Sequence, residues 1–329
     1  MNPCEGCANE CQHWRTTLAM VLKKTIMQIA ELLNRRGQTA EAGELAPRRQ
    51  LAHVIYVILR DPLALFSVVI IAAFILVAIF GPWLAPYPEQ GFGKTNVATR
   101  MLPMSREHPF GTDRLGRDML SRVIIAARPA LLVSLGVVAI AILIGAPLGA
   151  LAGYAGGRLD DLIMRITDLF LAFPATLLAM AIVAALGPGL EHAALALAIS
   201  WWPWYTRLVR GMALSLRQRY FVEAARSIGV SAPVIIFRHI LPNCLSPILV
   251  QATVDIGTVI LATSGLAFIG LGAQPPAPDW GLMVNEGRTF ILDQWWYSTF
   301  PGLAIFVTVL AFNLLGDTLR DIFDPRQYR

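Results

Sequence analysis

Stretches without a charged residue alternate with short charged segments along this chain. Leu63 to Ala85, Pro129 to Ala152, Leu169 to Leu190 and Trp295 to Gly316 contain no Asp, Glu, Lys or Arg. A fifth stretch, Cys244 to Gly272, contains one acid, Asp255. A sixth, between Glu191 and Arg207, is short, but Arg207 and Arg210 can snorkel toward headgroups and lengthen it. About 20 apolar residues in a helix cross a hydrocarbon core, so the pattern predicts six transmembrane helices. Unsatisfied backbone groups exclude an open sheet in lipid, and the lack of alternating ten-residue segments excludes a barrel. The fold class read from the pattern is an all-α polytopic membrane protein.

Composition agrees with that reading. The 329 residues are 56% hydrophobic and 15% charged, with mean hydropathy +0.57, too little polar surface for a soluble enzyme. The net charge of +5 is read as topology rather than as a nucleic-acid footprint. With the amino terminus inside, 19 of the 27 basic residues face the cytoplasm, and seven of the other eight fall in one loop, 86–128. The expected layout is a cytoplasmic tail over 1–52, a first transmembrane helix over 53–85 and an extracytoplasmic loop over 86–128. A helical core over 129–316 with a cytoplasmic loop at 217–242 follows, and then a cytoplasmic tail over 317–329. Residues 1–50 lack an apolar core followed by a small-residue cleavage site, so the first span is read as a retained anchor. Residues 18–33 carry apolar side chains at helical spacing, a pattern shared by membrane-surface and partner-binding helices.

Several short motifs suggest chemistry. Gly91-Phe92-Gly93-Lys94-Thr95 ends like a phosphate loop, but Pro88 stands where the first glycine belongs and no strand precedes it, so no nucleotide site is assigned to this chain. Cys4, Cys7, Cys11 and His13 have the donor atoms for a tetrahedral metal; their incomplete spacing reads instead as free thiols in a tail, and no metal is assigned. Asp161, Arg165 and Asp168, at i, i+4 and i+7, share a helix face and form a candidate ion-pair cluster at the cytoplasmic side. Asp255 lies well inside a span, where an acid faces a bundle interior or a water-filled path, and is a candidate path residue.

The segment Arg217 to Asn243 carries the most information. Small residues at Ala224 and Ala225, a break at Gly229, a helix start at Ser231 followed by Pro233, and Leu241-Pro242 at the membrane predict a helix-turn-helix. Small residues admit a close partner surface, glycine permits the turn and Glu223 offers a charged hydrogen bond, so the segment reads as a docking element.

Glu223-Ala224-Ala225, Gly229 and Leu241-Pro242 resemble the EAA loop of the membrane subunits of binding-protein-dependent ABC importers. Arg238-His239-Ile240-Leu241-Pro242-Asn243 is similar to the dipeptide, oligopeptide and nickel branch, with His239 where the broader pattern has Ile. His108 to Asp113, Gly116-Arg117-Asp118, Gly156-Gly157 with Asp160 and Arg165, and Ala172-Phe173-Pro174 resemble the same branch. So do Gly270-Leu271-Gly272 with Pro275, Pro276 and Trp280-Gly281, and Phe312-Asn313 to Pro325; together the likeness covers 53–329. It implies a MetI-like five-helix importer permease core plus one N-terminal flanking helix, in the cell inner membrane with both termini cytoplasmic. It also implies a homologous second permease, two ATP-binding subunits that hold the ATP and Mg, and an extracytoplasmic substrate-binding protein. The chain itself is then no enzyme. Relatives often carry an acid where this chain has Thr263, which makes Thr263 a second candidate path residue. Peptides or nickel complexes are the expected substrates, and oligosaccharides also fit an apolar path. The alternative from another class is an ion-coupled secondary transporter, which would need several intramembrane acids. A membrane-embedded enzyme would need a Ser/His/Asp or His/Glu cluster that the spans do not offer.

Overall fold

A computed structural model of the chain describes residues 59–323, whose regular elements are all helical. The helices of eight or more residues are α1 (Pro62–Leu84), α2 (Met119–Ala155), α3 (Gly157–Leu171), α4 (Ala175–Leu186) and α5 (Leu190–Leu216). They continue with α6 (Tyr220–Ser227), α7 (Leu245–Ile269), α8 (Trp280–Gly287) and α9 (Trp296–Phe323). By length and apolarity four segments can cross a membrane: α1, α2, the run from Ala232 to the end of α7, and α9. A fifth exists if α3 and α4 count as one span.

Local chemistry explains where these helices depart from the hydropathy pattern. α1 begins at Pro62, because Asp61 caps it by accepting from Leu63 N at 2.9 Å and proline suits the first helical position; residues 53–58 of the expected first span lie outside the described residues. α2 begins well before the charge-free stretch, capped by Asp118, whose Oδ2 accepts from Ser121 N at 2.8 Å. One helix is expected over 169–190. The chain instead breaks at Ala172 to Pro174, where proline restricts the residue before it, and α3 and α4 meet at 81°. α4 keeps 12 residues, roughly 18 Å of helix, against a hydrocarbon core of roughly 30 Å. α5 has 27 residues but includes Glu191, Arg207 and Arg210, and falls short of the apolarity of the other spans.

α2 and α5 form the tightest crossing. Gly145, Gly149 and Gly153 lie one turn apart on α2, and a Cβ on any of them would strike a backbone carbonyl of α5: Trp202, Thr206 or Arg210 respectively. Small residues at every fourth position let two helices approach backbone to backbone, so dispersion contacts replace the hydrophobic drive that lipid does not supply. Around this crossing the buried side chains of α2, α4, α5, α6 and α7 form one apolar core. A second core joins α1, α2, α8 and α9 through Phe74, Met119, Trp280, Met283 and Phe312.

The loop between α1 and α2 is held by charge. Arg117 Nε donates to Asp113 Oδ2 at 2.5 Å, Arg117 Nη2 donates to Glu286 Oε2 at 3.2 Å, and the Tyr297 hydroxyl donates to the same oxygen at 3.0 Å. His108 Nδ1 lies 2.8 Å from Asp118 Oδ1, and the Trp280 indole donates to Val123 O at 2.9 Å. Arg122 is fully buried beside this knot, 3.9 Å from Asp113, with no hydrogen bond from its guanidinium among the described residues. Asp279 caps α8 by accepting from Leu282 N at 2.9 Å, and burial pushes its carboxyl up to about 6.

Three outcomes follow for thermal unfolding of detergent-solubilised protein. Gly149→Leu is expected to cost at least the roughly 1–3 kcal/mol typical of overpacking, because its neighbours are backbone, whereas Gly136→Ala, which meets nothing within 4 Å, is neutral. Arg117→Ala takes the buried guanidinium from both Asp113 and Glu286, and a loss of about 3–5 kcal/mol is expected. Asp279 binds its proton more tightly folded than unfolded, so the charged carboxylate destabilises the fold progressively as pH rises from 3.8 to about 6. Asp279→Asn keeps a capping acceptor and is expected to raise the melting temperature at about pH 8, with the gain vanishing near about pH 4.

Candidate functional site

The segment expected to dock a partner lies between α5 and α7. α6 follows α5 after a three-residue turn and buries one side only: Val222 and Ala225 enter the apolar core while Glu223, Ala224 and Arg226 stay exposed. The i, i+3 spacing of Val222 and Ala225 sets that face. α6 ends in a Schellman turn, with Val230 N bonded to Ala225 O at 3.0 Å and Gly229 N to Arg226 O at 3.0 Å. Gly229 takes φ +81°, so a β-branched residue there is strained even though the space beside it is open.

The second arm of the expected helix-turn-helix is not a regular α-helix. Ala232–Val234 makes one α turn after Ser231, Ile235–Ile240 winds as a π-helix, and Leu241–Cys244 tightens to a 3-10 turn with Pro242 at its start. Ser231 occupies the cap position but makes no capping hydrogen bond from its side chain. Ile235, Ile236 and Ile240 are buried, Leu241 is half-buried and Pro242 is exposed. The His239 ring lies 6.5 Å from that of Phe221, so it packs against α6. Cys244 is a buried free thiol. The tip of the hairpin presents bare apolar surface: Tyr220 is 90% exposed and Ile228 81%. Sequence reasoning centred on the small residues and missed both, although Ile228, an apolar residue beside a turn glycine, carried an available signal.

Ion pairs tie α3 to α5 on the same side of the molecule. Arg210 grips Asp160 with two hydrogen bonds, 2.6 and 2.8 Å, and Arg207 Nη2 donates to Asp168 Oδ1 at 2.7 Å. Asp161, Arg165 and Asp168 do share a face, and it is the exposed one. Asp168 takes its partner from α5 rather than from Arg165, and the buried acid is Asp160, one residue from the expected cluster.

Asp255 and Thr263 both sit on α7 and are buried. Thr263 returns its hydroxyl to the Val259 and Ile260 carbonyls of its own helix, at 2.9 and 3.0 Å. Asp255 Oδ1 accepts from Gln251 Nε2 at 3.1 Å, while Oδ2 has no hydrogen-bond partner among the described residues. In the rejected phosphate loop Gly91 packs against Ser121 and Ile125 of α2, Gly93 lies against Pro276, and Lys94 pairs with Glu89. Among the described residues no three His, Cys, Asp or Glu side chains converge as a metal site; Cys4, Cys7, Cys11 and His13, and the helix expected over 18–33, lie outside those residues.

Comparison with known proteins bears on this geometry. Residues 145–329 match the family described as binding-protein-dependent transport system inner membrane component, and residues 50–103 match the N-terminal TM domain of oligopeptide transport permease C. The chain is 47% identical over 290 residues to a probable D,D-dipeptide transport system permease protein of Escherichia coli K12, covering 87% of this chain and 96% of that one. It is 47% identical to a dipeptide transport system permease protein of Alkalihalophilus pseudofirmus, over 81% of this chain and 87% of that one. A glutathione transport system permease protein of Escherichia coli is 48% identical, over 81% of this chain and 88% of that one. The fold resembles a chain of the methionine ABC transporter MetNI in an inward-facing conformation, with TM-score 0.51 and 18% identity over 63% of this chain and 98% of that one. On the family match over more than half its length, this chain is a member of the binding-protein-dependent transport system inner membrane components, the permease subunits of ATP-driven importers.

Proposed function

We propose that this chain forms half of a peptide translocation path and pairs with a homologous second permease. The 217–242 loop docks one of two ATP-binding subunits and the second permease docks the other, and a substrate-binding protein delivers its cargo on the side of loop 86–128. The observation that carries this reading is α6, where Tyr220 at its start and Ile228 beside the Gly229 turn stand bare while its inner face is locked into the subunit core. A water-exposed apolar tip on a braced support suits a socket in another protein. The sharply exposed face of α6 includes Glu223 and Ala224, while Ala225 braces the helix from inside. Six spans fit this reading when α5 and the bent α3–α4 pair each count as one, with both termini cytoplasmic and the basic residues of 207–243 on the ATPase side. Peptides are favoured over nickel complexes and oligosaccharides because the similar permeases are named for D,D-dipeptide, dipeptide and glutathione.

The test is reconstitution with the partner permease and ATPase subunits. Ile228→Asp and Tyr220→Asp are expected to weaken ATPase retention on a sizing column by about 30-fold, the effect of losing an apolar hot spot of about 2 kcal/mol. Substrate-stimulated ATP hydrolysis should fall with it, while membrane insertion and melting temperature stay at parent values. Gly229→Val should act similarly through the turn, and Glu223→Ala more weakly, on the order of 1 kcal/mol or less. Parent-level retention in both aspartate variants would sink the docking assignment. For the substrate, uptake of a labelled dipeptide should be competed by dipeptides and glutathione; competition by nickel chelates alone would overturn the peptide reading.

A further inference from the structure

Where α5 crosses α7, Tyr205, Trp201, Gln251 and Asp255 make a polar cluster inside the apolar core. Tyr205 and Asp255 face each other from the two helices and interact, but neither the Tyr205 hydroxyl nor Asp255 Oδ2 completes a hydrogen bond of good geometry among the described residues. Asp255 is 6% exposed and Tyr205 0%. A buried acceptor and a buried donor that confront each other are complementary, and each satisfies the other when their geometry is good.

Their position along the chain gives the pair a task. α5 ends four residues before α6 begins, and α7 starts directly after the 3-10 turn that closes the hairpin. α5 and α7 are therefore the two arms of the hairpin whose tip is α6. Tyr205 stands about 16 Å from the hairpin end of α5 and Asp255 about 15 Å from the hairpin end of α7, at 1.5 Å per residue. The cluster thus bridges both arms at matching height.

We infer that Tyr205 and Asp255 are positioning residues forming a latch between the two arms, closed when the hydroxyl donates to Oδ2. With the latch closed the arms move as one body, and a displacement at the tip reaches α7 instead of dissipating as the arms splay. The inference rests on the reading of 217–244 as the ATPase-facing element. It requires a hydroxyl on α5 and an oxygen acceptor on α7, and it does not require the negative charge.

The experiment uses the reconstituted complex of the full chain with its partner permease and ATPase subunits. It reads ATPase-subunit retention, basal hydrolysis and substrate-stimulated hydrolysis. Tyr205→Phe and Asp255→Leu should each keep retention and basal hydrolysis while lowering the stimulated-to-basal ratio at least about threefold. Asp255→Asn, which preserves an acceptor oxygen, should keep a parent-like ratio. The double variant Tyr205→Phe/Asp255→Leu should be no worse than the poorer single, since both remove one interaction. A purely structural role would lower yield and melting temperature without moving the ratio. An unchanged ratio in Tyr205→Phe, effects that multiply in the double variant, or Asp255→Asn as impaired as Asp255→Leu would each overturn the latch. Loss of ATPase subunits from the parent complex would instead overturn the importer-coupling reading on which it stands.

Discussion

α2 and α5 approach backbone to backbone over two helical turns, and the other parts of the subunit take their places from that contact. The stripe Gly145, Gly149 and Gly153 admits the carbonyls of Trp202, Thr206 and Arg210. Fixing Thr206 in this way fixes its neighbours on α5: Tyr205 toward α7, Arg207 toward Asp168 and Arg210 toward Asp160. A methyl group on Gly149 would rotate or lift α5, and the ion pairs, the polar cluster and the entry angle into α6 would shift with it. Three missing side chains therefore define the geometry of several present ones.

The opposite end of α2 uses a different kind of order. Asp113, Arg117, Glu286 and Tyr297 are drawn from a loop, a short helix and a long helix, and they are knit by hydrogen bonds that all converge on buried charge. Such a cluster is weak evidence for net stability, because desolvation opposes the attraction. Its strength is directional: a guanidinium fork accepts few arrangements of carboxylates, so the loop has one seat.

Much of this was legible in the sequence, and the gaps have physical causes. Charge-free stretches identified the apolar helices because lipid tolerates little else, and the cluster from Glu223 to Pro242 marked the hairpin by its chemistry. Hydropathy could not see the 81° break between α3 and α4, since Phe173 and Ala172 are as apolar as a span; only Pro174 signalled it. The facing of Ala225 was readable from its i, i+3 spacing with Val222, yet a motif read as a unit conceals which of its residues point inward. Arg117 and Glu286 are separated by 169 positions, and no local pattern announces such a pairing. The same holds for Asp160, whose partner Arg210 is 50 residues away.

The length of α2 has a mechanical meaning. Its 37 residues make a rod of about 55 Å, nearly twice the thickness of a hydrocarbon core. One end is tied into the ionic knot through Asp118 and Arg122, and the other reaches Gly156, which lies against the Arg217 guanidinium at the entrance to the hairpin. With its crossing of α5 close to one end, the rod is a lever of unequal arms. A tilt of about 5° about Gly149 would swing the Met119 end, about 45 Å away, by about 4 Å and the Ala155 end, about 9 Å away, by about 1 Å or less, so a small movement beside the hairpin corresponds to a larger one at the far face of the membrane.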